Sequence, residues 1–573
     1  MIGPSGPMLP LVALIWPLLL GLVALLPPVR AHALRLLPLA PLPAIGLAFL
    51  GGQGVTVVPD VLLGVTLGAG RPAMLLLTLT ACLWFAAAVH AQKSMKGTAN
   101  PAVFSSFWCL TLAGNLGVFL AQDVATFYVA FAAVSLSAYF LVVHEATAEA
   151  LRAGRLYIVL ALVGEVCLLV AFLIGASAAD SLMIGQIRLA LADAPLGTFA
   201  VALLVAGFGI KAGLMPLHVW LPLAHPAAPT PASAVLSGAI VKAGIVGLML
   251  FLPVASDITT IVIALGFATA FGGALAGLRV RQPKAILAYS TISQMGLVIA
   301  LVAAATRSPG GDMAYAAYYG FHHGLAKGAL FLGVALVAGS RGRWRSGGLV
   351  LLAAVALSVA GAPLTGGGLA KAAAKTGLGA WETFALTLSA ATTTLVLGWF
   401  LVRLAASPTK HAEDDAEAEG ARHPHPLIAG PVVALALAAV VSPWWLWSAW
   451  SGLPADYPMR LATLWSAAWP VALGMAAIAA MARANWPAGT LEAADPLRAA
   501  RAAGRRLAPL KRVPGSLATM RAAIADRSTA AVRRAGTVAA KGAETLEGAL
   551  LQWRISGLAI VVSVLAIAIL AAR

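Results

Sequence analysis

The sequence predicts an all-α polytopic membrane protein with about sixteen transmembrane helices, and three observations point to this class. Of the 573 residues, 61% are hydrophobic and 10% are charged, whereas soluble domains average about 25% charged residues. The mean hydropathy is +0.91. Apolar runs of about 20 residues, the length that crosses a bilayer core of about 30 Å, recur along the whole chain. Together these features argue against a water-soluble helical protein.

The apolar runs define the individual spans. The first run is preceded by no positive charge and followed by no A-x-A-like cleavage site, which favours a spanning helix over a removed signal peptide. The predicted spans cover 8–27, 34–51, 73–91, 102–120, 122–143, 156–177, 196–215, 231–252, 258–278, 284–304, 315–338, 347–367, 383–405, 427–449, 463–482 and 554–572.

Charge in the connecting loops predicts the orientation. Loops that follow odd-numbered spans hold most of the basic residues, among them Lys93, Arg152, Arg281 and Arg343. Cytoplasmic loops carry an excess of Lys and Arg. We therefore expect the N-terminus outside, the odd-numbered loops in the cytoplasm, and a location in a bacterial inner membrane.

The chain divides into segments of different composition. Residues 483–550 are rich in Ala and Arg and predict a lateral amphipathic helix on the cytoplasmic membrane surface. The loop 407–426 contains His411, His423 and His425, but their spacing fits no compact metal site. The predicted segments are N-terminal transmembrane helices (1–100), a first inverted repeat (101–255), a second inverted repeat (256–406), the charged cytoplasmic loop (407–426), additional transmembrane helices (427–482), the lateral helix (483–550) and a C-terminal anchor helix (551–573).

Composition also bounds the chemistry. The net charge is +17, but the basic residues lie in short loops and in the lateral segment, which favours lipid headgroups over nucleic acid as their partner. Cys82, Cys109 and Cys167 lie far apart inside apolar runs, so no metal or iron–sulfur site is expected. No dinucleotide or phosphate-binding motif appears. We expect no catalytic residue, metal or cofactor, and any redox centre lies in another chain.

Ionisable side chains interrupt the apolar spans. Each costs several kcal/mol in a membrane, so such groups tend to be functional and to face a protein or water interior. A lysine near a span end can reach the interface, as we expect for Lys375; apolar sequence on both sides of Lys211 and Lys242 argues against that for them. The candidate proton-translocating residues are Glu165, Lys211, Lys242, His323, Lys327 and Lys371.

Helix-breaking residues accompany two of these lysines. Pro216 and Pro222 follow Lys211, and Pro363 and Gly366 precede Lys371. Broken helices at membrane depth are tolerated where they line a cavity, and paired breaks indicate inverted repeats around an ion site. The two breaks are five spans apart, an odd offset that inverts topology. This spacing predicts two inverted five-helix repeats.

Three stretches carry a family resemblance. KAGLMPLHVWLPLAHPAAPTPASAVLSGAIVKAG, RQPKAILAYSTISQMG and HHGLAKGALFLG resemble motifs of the antiporter-like subunits of respiratory complex I, the Mrp antiporters and the membrane-bound hydrogenases. The resemblance covers roughly residues 70–405. It implies that Lys211 carries the proton in the first half-channel and that Lys242 connects the halves. His323 and Lys327 then belong to the second half, and Lys371 opens to the outside.

The resemblance also implies partners. The lateral helix and final span resemble those of the most distal pumping subunit, whose long helix clasps neighbouring membrane subunits. No redox centre is expected in this chain, so an oxidoreductase activity belongs to the complex as a whole.

One departure from the family pattern concerns the fifth span. Family members usually carry a glutamate there, whereas this chain has Ala132 in the stretch FAAVSLSAY. A histidine common on the eighth span is replaced by Ser237. Glu165 on the sixth span is the acidic residue left to pair with Lys211.

Three interpretations follow from the sequence. The first is an active proton- or cation-translocating subunit of a multi-subunit complex such as NADH-quinone oxidoreductase, formate hydrogenlyase or an Mrp antiporter. The second is a structural or coupling subunit with a degenerate first channel, which the alanine at 132 motivates. The third is a free-standing antiporter or a membrane subunit of an inorganic-carbon uptake system.

Overall fold

The protein is described here by a computed structural model. The structure describes residues 8–50, 54–256, 258–307, 311–408 and 423–484. The predicted final anchor helix, nearly all of the lateral helix and most of the charged loop lie outside the described residues.

The described chain is built almost entirely of helices. In order they are α1 (Leu9–Val23), α2 (Ala33–Leu36), α3 (Leu42–Leu50), α4 (Arg71–Ser94), α5 (Pro101–Leu120), α6 (Val124–Val142), α7 (Ala148–Ala179), α8 (Ile184–Asp193), α9 (Gly197–Ala212), α10 (Leu221–Ala227), α11 (Thr230–Val235), α12 (Val241–Phe251), α13 (Thr259–Gly277), α14 (Pro283–Ala305), α15 (Ala314–Ala338), α16 (Gly342–Ala360), α17 (Gly366–Ala374), α18 (Ala380–Ala405), α19 (Pro426–Ser451) and α20 (Leu461–Arg483). Short 3-10 turns flank α2, and a π-helical turn, Leu236–Ile240, joins α11 to α12.

Length and hydropathy identify 13 candidate membrane spans within the described residues. Two further apolar helices, α1 and α9, coincide with predicted spans but are shorter. The all-α polytopic class is therefore confirmed. The count of sixteen spans stays a prediction, because the last of them lies outside the described residues.

Four long helices form most of the interior of the described chain, among them α5, whose apolar window is 94% buried. The apolar window of α14 is wholly buried, that of α15 is 83% buried, and that of the continuous helix Thr230–Phe251 is 94% buried. By contrast, the window of α20 is 17% buried. The residues that the sequence singled out on α12 and α15 thus lie in the middle of the helix packing.

Loops that follow even-numbered spans meet on one face. A hairpin of β1 (Thr56–Val58) and β2 (Val65–Leu67) pairs antiparallel, with Thr56 opposite Leu67. Asp123, the N-cap of α6, accepts from the backbone N–H of Thr126 at 2.7 Å and of Thr66 at 2.8 Å. Isolated bridges join Asp123 to Met183 and Leu67 to Ala121. These loops contact one another, and the predicted alternation of spans would place them on the same side of a membrane.

An ion pair joins two further loops that follow even-numbered spans. Arg307, in the loop after α14, pairs with Glu382 in the first turn of α18. The hydrogen bond to Glu382 raises the pKa of the Arg307 guanidinium above its ordinary value. Glu382 also accepts from the N–H of Gly379 at 2.9 Å, so it caps α18.

Both predicted helix breaks have the same backbone geometry. α9 ends at Gly213 (φ +83°) and α16 ends at Gly361 (φ +93°). In each case the next amide, that of Leu214 (2.8 Å) or Ala362 (3.0 Å), donates to the carbonyl five residues earlier. This is the Schellman cap, which needs a left-handed residue and therefore favours glycine. The two halves of the chain thus interrupt a helix in the same way.

Candidate functional site

The first cluster joins three helices through one hydroxyl group. Lys211, on the last turn of α9, donates from Nζ to Oγ of Ser135 on α6 at 2.6 Å. Ser135 in turn donates to Oε1 of Glu165 on α7 at 2.6 Å. All three side chains are buried, with at most 5% exposed. Glu165 is thus linked to Lys211, as the sequence suggested, but through Ser135 rather than by a direct ion pair.

Aromatic side chains enclose this cluster. The ammonium of Lys211 lies 5.0 Å from the ring centroid of Phe131 and 6.0 Å from that of Tyr157. The Tyr157 hydroxyl donates to the Ser135 carbonyl at 2.9 Å. A cavity of about 10 Å³ borders Lys211 and Ser135, roughly the space required for one water molecule. A charge here is therefore shielded from lipid and held by cation–π and hydrogen-bond contacts.

The second cluster lies in the interior between α12 and α15. Nζ of Lys242 lies 2.9 Å from Nδ1 of His323 and donates to the Ser237 carbonyl at 2.9 Å. The Ser237 hydroxyl contacts that of Thr291 on α14 at 2.7 Å. Lys242 lies two residues after the last residue of the π-helical turn, and such turns are common at functional sites. The hydroxyl at 237, which stands where relatives often have histidine, thus remains part of the polar interior.

Lys327 lies one turn beyond His323 but has a different partner. Its Nζ donates to the Leu287 carbonyl of α14 at 3.1 Å, and the residue is fully buried. Nε2 of His323 has no hydrogen-bond partner among the described residues. The predicted His323–Lys327 pair therefore shares one helix face but contacts two different neighbours.

The third cluster surrounds Lys371 on α17. Its Nζ donates to Oγ of Ser389 on α18 at 3.0 Å, and its Cδ lies 2.8 Å from where a Cβ at Gly361 would stand. Lys375 donates to Ser466 at 3.3 Å, and a cavity of about 20 Å³ lies between the two lysines. Within the described residues no carboxylate contacts Lys371. The helix break thus places Gly361 close against the aliphatic part of the Lys371 side chain.

Two adjacent histidines diverge around α15. His323 faces Lys242, whereas Nε2 of His322 lies 2.9 Å from the Ser358 hydroxyl on α16. Added Cβ atoms at Gly366 and Gly367 would come within 2.9 Å of the His322 ring. The sequence drew attention only to His323. Successive helical residues point about 100° apart, so His322 reaches the second break instead.

A neutral network lies between the second and third clusters, and the sequence analysis did not identify it. Gln294 on α14 accepts from the Tyr319 hydroxyl at 2.7 Å and donates to the Thr393 hydroxyl at 3.0 Å. Tyr319 precedes His323 by one turn of α15, and Thr393 follows Ser389 by one turn of α18. The network thus lies between the helix that carries His323 and the helix that carries Ser389, without a hydrogen bond to the Lys242–His323 pair itself.

The predicted helix-break residues lie where the chain leaves regular helix. Pro216 falls between α9 and α10, Pro222 in the first turn of α10, Pro363 between α16 and α17, and Gly366 at the start of α17. Hydrogen bonds collect the six ionisable candidates into separate groups rather than one continuous chain. Glu165 joins Lys211, Lys242 joins His323, and Lys327 and Lys371 each contact another helix.

Part of the chain matches a known protein family. Residues 121–398 match the family described as NADH:quinone oxidoreductase/Mrp antiporter, transmembrane. Hydrogenase-4 component B of Escherichia coli K12 is 31% identical over 279 residues, which cover 46% of this chain and 41% of that protein. A putative antiporter subunit, mnhA2, of Staphylococcus saprophyticus is 30% identical over 300 residues, 47% of this chain and 37% of its own length. The chain thus spans less than half the length of these two relatives.

Solved structures share the fold. The Mrp complex from Dietzia sp. DQ12-45-1b aligns with a TM-score of 0.70 at 22% identity, covering 93% of this chain and 63% of that one. The membrane-bound sulfane sulfur reductase, an archaeal respiratory membrane complex, aligns with a TM-score of 0.63 at 22% identity, covering 82% of this chain and 98% of that one. Both neighbours are parts of multi-subunit membrane complexes.

Proposed function

We propose that this chain is an antiporter-like, cation-translocating membrane subunit, which the match over residues 121–398 and the similar relatives support, and that it moves protons through the buried clusters at Lys211, Lys242–His323 and Lys371. The observation that carries this proposal is the hydroxyl bridge at Ser135. Lysine, serine and carboxylate there form a line of groups that load, pass and accept a proton.

The bridge supports an active first half-channel even though residue 132 is an alanine and not the glutamate usual in the family. Ser135 lies one turn after Ala132 on α6, so both positions face the same side of that helix. The carboxylate has in effect moved from α6 to Glu165 on α7, and the serine closes the remaining distance to Lys211. A buried ammonium is tolerated when it is paired and hydrogen-bonded. The first half-channel therefore retains the groups that translocation needs.

Protons fit these groups better than sodium ions. Each cluster contains a lysine, whose ammonium donates hydrogen bonds and repels a metal cation. Sodium prefers several oxygen ligands, and an ammonium offers no acceptor atom to a metal cation. We therefore propose proton translocation as the activity of this chain.

The chain is proposed to act inside a larger assembly in a bacterial cell membrane. Its relatives and structural neighbours belong to multi-subunit complexes, and the chain has no recognisable redox centre in its sequence. The segment 483–550, outside the described residues, is proposed to clasp neighbouring subunits along the cytoplasmic face, with the N-terminus outside. Purification in mild detergent identifies the partners: hydrogenase or quinone-oxidoreductase subunits, small Mrp-type subunits, or a carbonic-anhydrase-like protein of an inorganic-carbon system.

Lys211→Ala tests the proposed activity. The complex is isolated with this variant and reconstituted into vesicles, and proton uptake is followed with a pH-sensitive dye. We expect uptake to be lost while the subunit composition stays unchanged. The matched control is Lys96→Ala, because Lys96 is exposed in the loop after α4. Undiminished uptake in Lys211→Ala would favour the second candidate, a structural or coupling subunit.

A further inference from the structure

The amide of Gln294 occupies the contact point of three helices. The side chain is 1% exposed and bridges the Tyr319 hydroxyl of α15 to the Thr393 hydroxyl of α18. Tyr319 lies four residues before His323, and Thr393 lies four residues after Ser389, the partner of Lys371. Gln294 is therefore hydrogen-bonded to both neighbouring helices between these two clusters. On the other side of α15, Ser358 of α16 likewise contacts His322 (2.9 Å) and the Gly367 amide of α17 (3.4 Å), but that contact ends on a backbone N–H rather than on a partner of Lys371.

The hydrogen-bond pattern fixes the direction of this amide. The Thr393 hydroxyl donates to the Ser389 carbonyl at 2.7 Å, so it faces Gln294 only as an acceptor. The amide must then present its NH₂ group to Thr393 and its oxygen to Tyr319. The Tyr319 hydroxyl in turn donates to that oxygen. Every hydrogen in the network points from α15 towards α18.

This arrangement does not pass a proton onward. An amide nitrogen has no lone pair available to accept a proton, unlike a carboxylate or an imidazole. The Ser389 hydroxyl is likewise committed, since it donates to the Leu386 carbonyl at 2.6 Å while it accepts from Lys371. The network thus ends on backbone carbonyls of α18. Ser135 differs because its hydroxyl lies closer to the Glu165 carboxylate (2.6 Å) than to the Phe131 carbonyl (3.0 Å).

We propose that Gln294 is a barrier that separates the Lys242–His323 pair from Lys371, so that a proton crosses only when α14, α15 and α18 change their contact. This inference rests on the proposed function, because a barrier has meaning only in a proton path. It assigns Gln294 a positioning role rather than a place among the proton carriers. A barrier of this kind prevents the second half from short-circuiting the proton gradient.

Gln294→Glu tests the barrier directly. The carboxyl group has the same size and can accept a proton on one oxygen while it releases one from the other. The full chain is reconstituted into vesicles with an internal pH dye, and a potassium diffusion potential drives protons inward. We expect proton influx to rise by about 10²-fold, the lower end of what a positioned acid–base group contributes to proton transfer. Gln294→Met, which removes the hydrogen bonds without adding an acid, should stay as tight as the unmodified chain.

Three further variants make the result interpretable. Gln282→Glu makes the same change at the exposed N-cap of α14 and should conduct no better than the unmodified chain. Gln294→Glu combined with Lys371→Ala should lose the extra influx, because the path beyond the barrier is cut. Gln294→His supplies a second relay group if the glutamate variant does not fold, as judged by gel filtration.

The outcomes separate the barrier from the proposed function. Equal influx in folded Gln294→Glu (or Gln294→His) and unmodified protein, or equal rises in the Met and Glu variants, would overturn the barrier. If the barrier fails in this way while Lys211→Ala still abolishes uptake by the complex, the proposed function stands alone. If Gln294→Glu conducts through Lys371 but the complex moves no protons, the barrier stands and the pumping role fails.

Discussion

The two halves of the chain break a helix identically but surround their lysines differently. Gly213 and Gly361 form the same cap, and each lysine, Lys211 or Lys371, donates to one serine. In the first half the serine hydroxyl has a carboxylate at 2.6 Å in addition to the Phe131 carbonyl at 3.0 Å, whereas in the second half Ser389 donates to a backbone carbonyl. The backbone framework is thus shared, and the electrostatic partner is the part that differs.

This difference indicates how the halves divide their work. A lysine linked to a carboxylate is held in its charged form, and a lysine without such a partner bears the full desolvation cost of its charge. Lys211 is thereby suited to retain a proton until the charge or position of Glu165 changes. Lys371 is suited to release its proton into the cavity that it shares with Lys375. The first half lacks the glutamate at position 132, yet its lysine is the one linked to a carboxylate.

The largest expected contrast is in stability. Lys211→Met removes the ammonium that Ser135 links to Glu165 and leaves these buried groups without their cationic partner. We expect a cost of about 3 kcal/mol, the upper end of the penalty for a buried group left unsatisfied. Lys371→Met removes an amine that has no carboxylate partner among the described residues, so stability should stay level or rise. Thermal unfolding of the purified chain, followed by tryptophan fluorescence, measures both.

A double variant sharpens this comparison. Lys211→Met combined with Glu165→Leu removes both charges, and replacing a buried pair by apolar groups is often neutral. We therefore expect the double variant to unfold at a higher temperature than Lys211→Met alone. Equal destabilisation by Lys211→Met and Lys371→Met would contradict the proposed difference between the halves.

A smaller contrast is expected between the two serines. Ser135→Ala removes hydrogen bonds to two ionisable groups, whereas Ser389→Ala removes one to Lys371. Hydrogen bonds to charged groups contribute about 1.5–3 kcal/mol, so Ser135→Ala should slow proton uptake by the complex about tenfold or more, and Ser389→Ala less. Ser135→Thr keeps the hydroxyl and should recover most of the rate.

Ser137 provides the control for this pair on the same helix. Its hydroxyl donates to the Ala133 carbonyl at 2.5 Å and accepts from Thr111, away from Lys211. Ser137→Ala should leave the rate of uptake unchanged. A similar loss in Ser137→Ala and Ser135→Ala would show that helix packing, not the bridge, sets the rate.

The sequence predicted the helices and the charged members of the site because both leave strong signals. Long apolar runs mark spans, and a lysine such as Lys242 inside one is costly enough to need a reason. Seryl and glutaminyl side chains leave no such signal. Ser135 and Gln294 look like ordinary small polar residues of a span, and their roles depend on which helices they face.

The sequence likewise did not predict which neighbouring helix each side chain contacts. Adjacent histidines, His322 and His323, read as one motif, but helix geometry sends them to α16 and α12. Glu165 was visible in the sequence as a candidate partner of Lys211, whereas the bridge through Ser135 depends on how α6 and α9 pack against α7.

The central claim is that Glu165 replaces the glutamate missing at position 132, and one set of uptake measurements tests it. Proton uptake by the reconstituted complex is compared for Glu165→Gln, for Ala132→Glu and for the two changes combined, with Glu149→Gln, an exposed acid on the same helix, as the control. We predict loss of uptake in Glu165→Gln, normal uptake in the control, and recovery when Ala132→Glu is added to Glu165→Gln. Undiminished uptake in Glu165→Gln, with the complex intact, would contradict the claim.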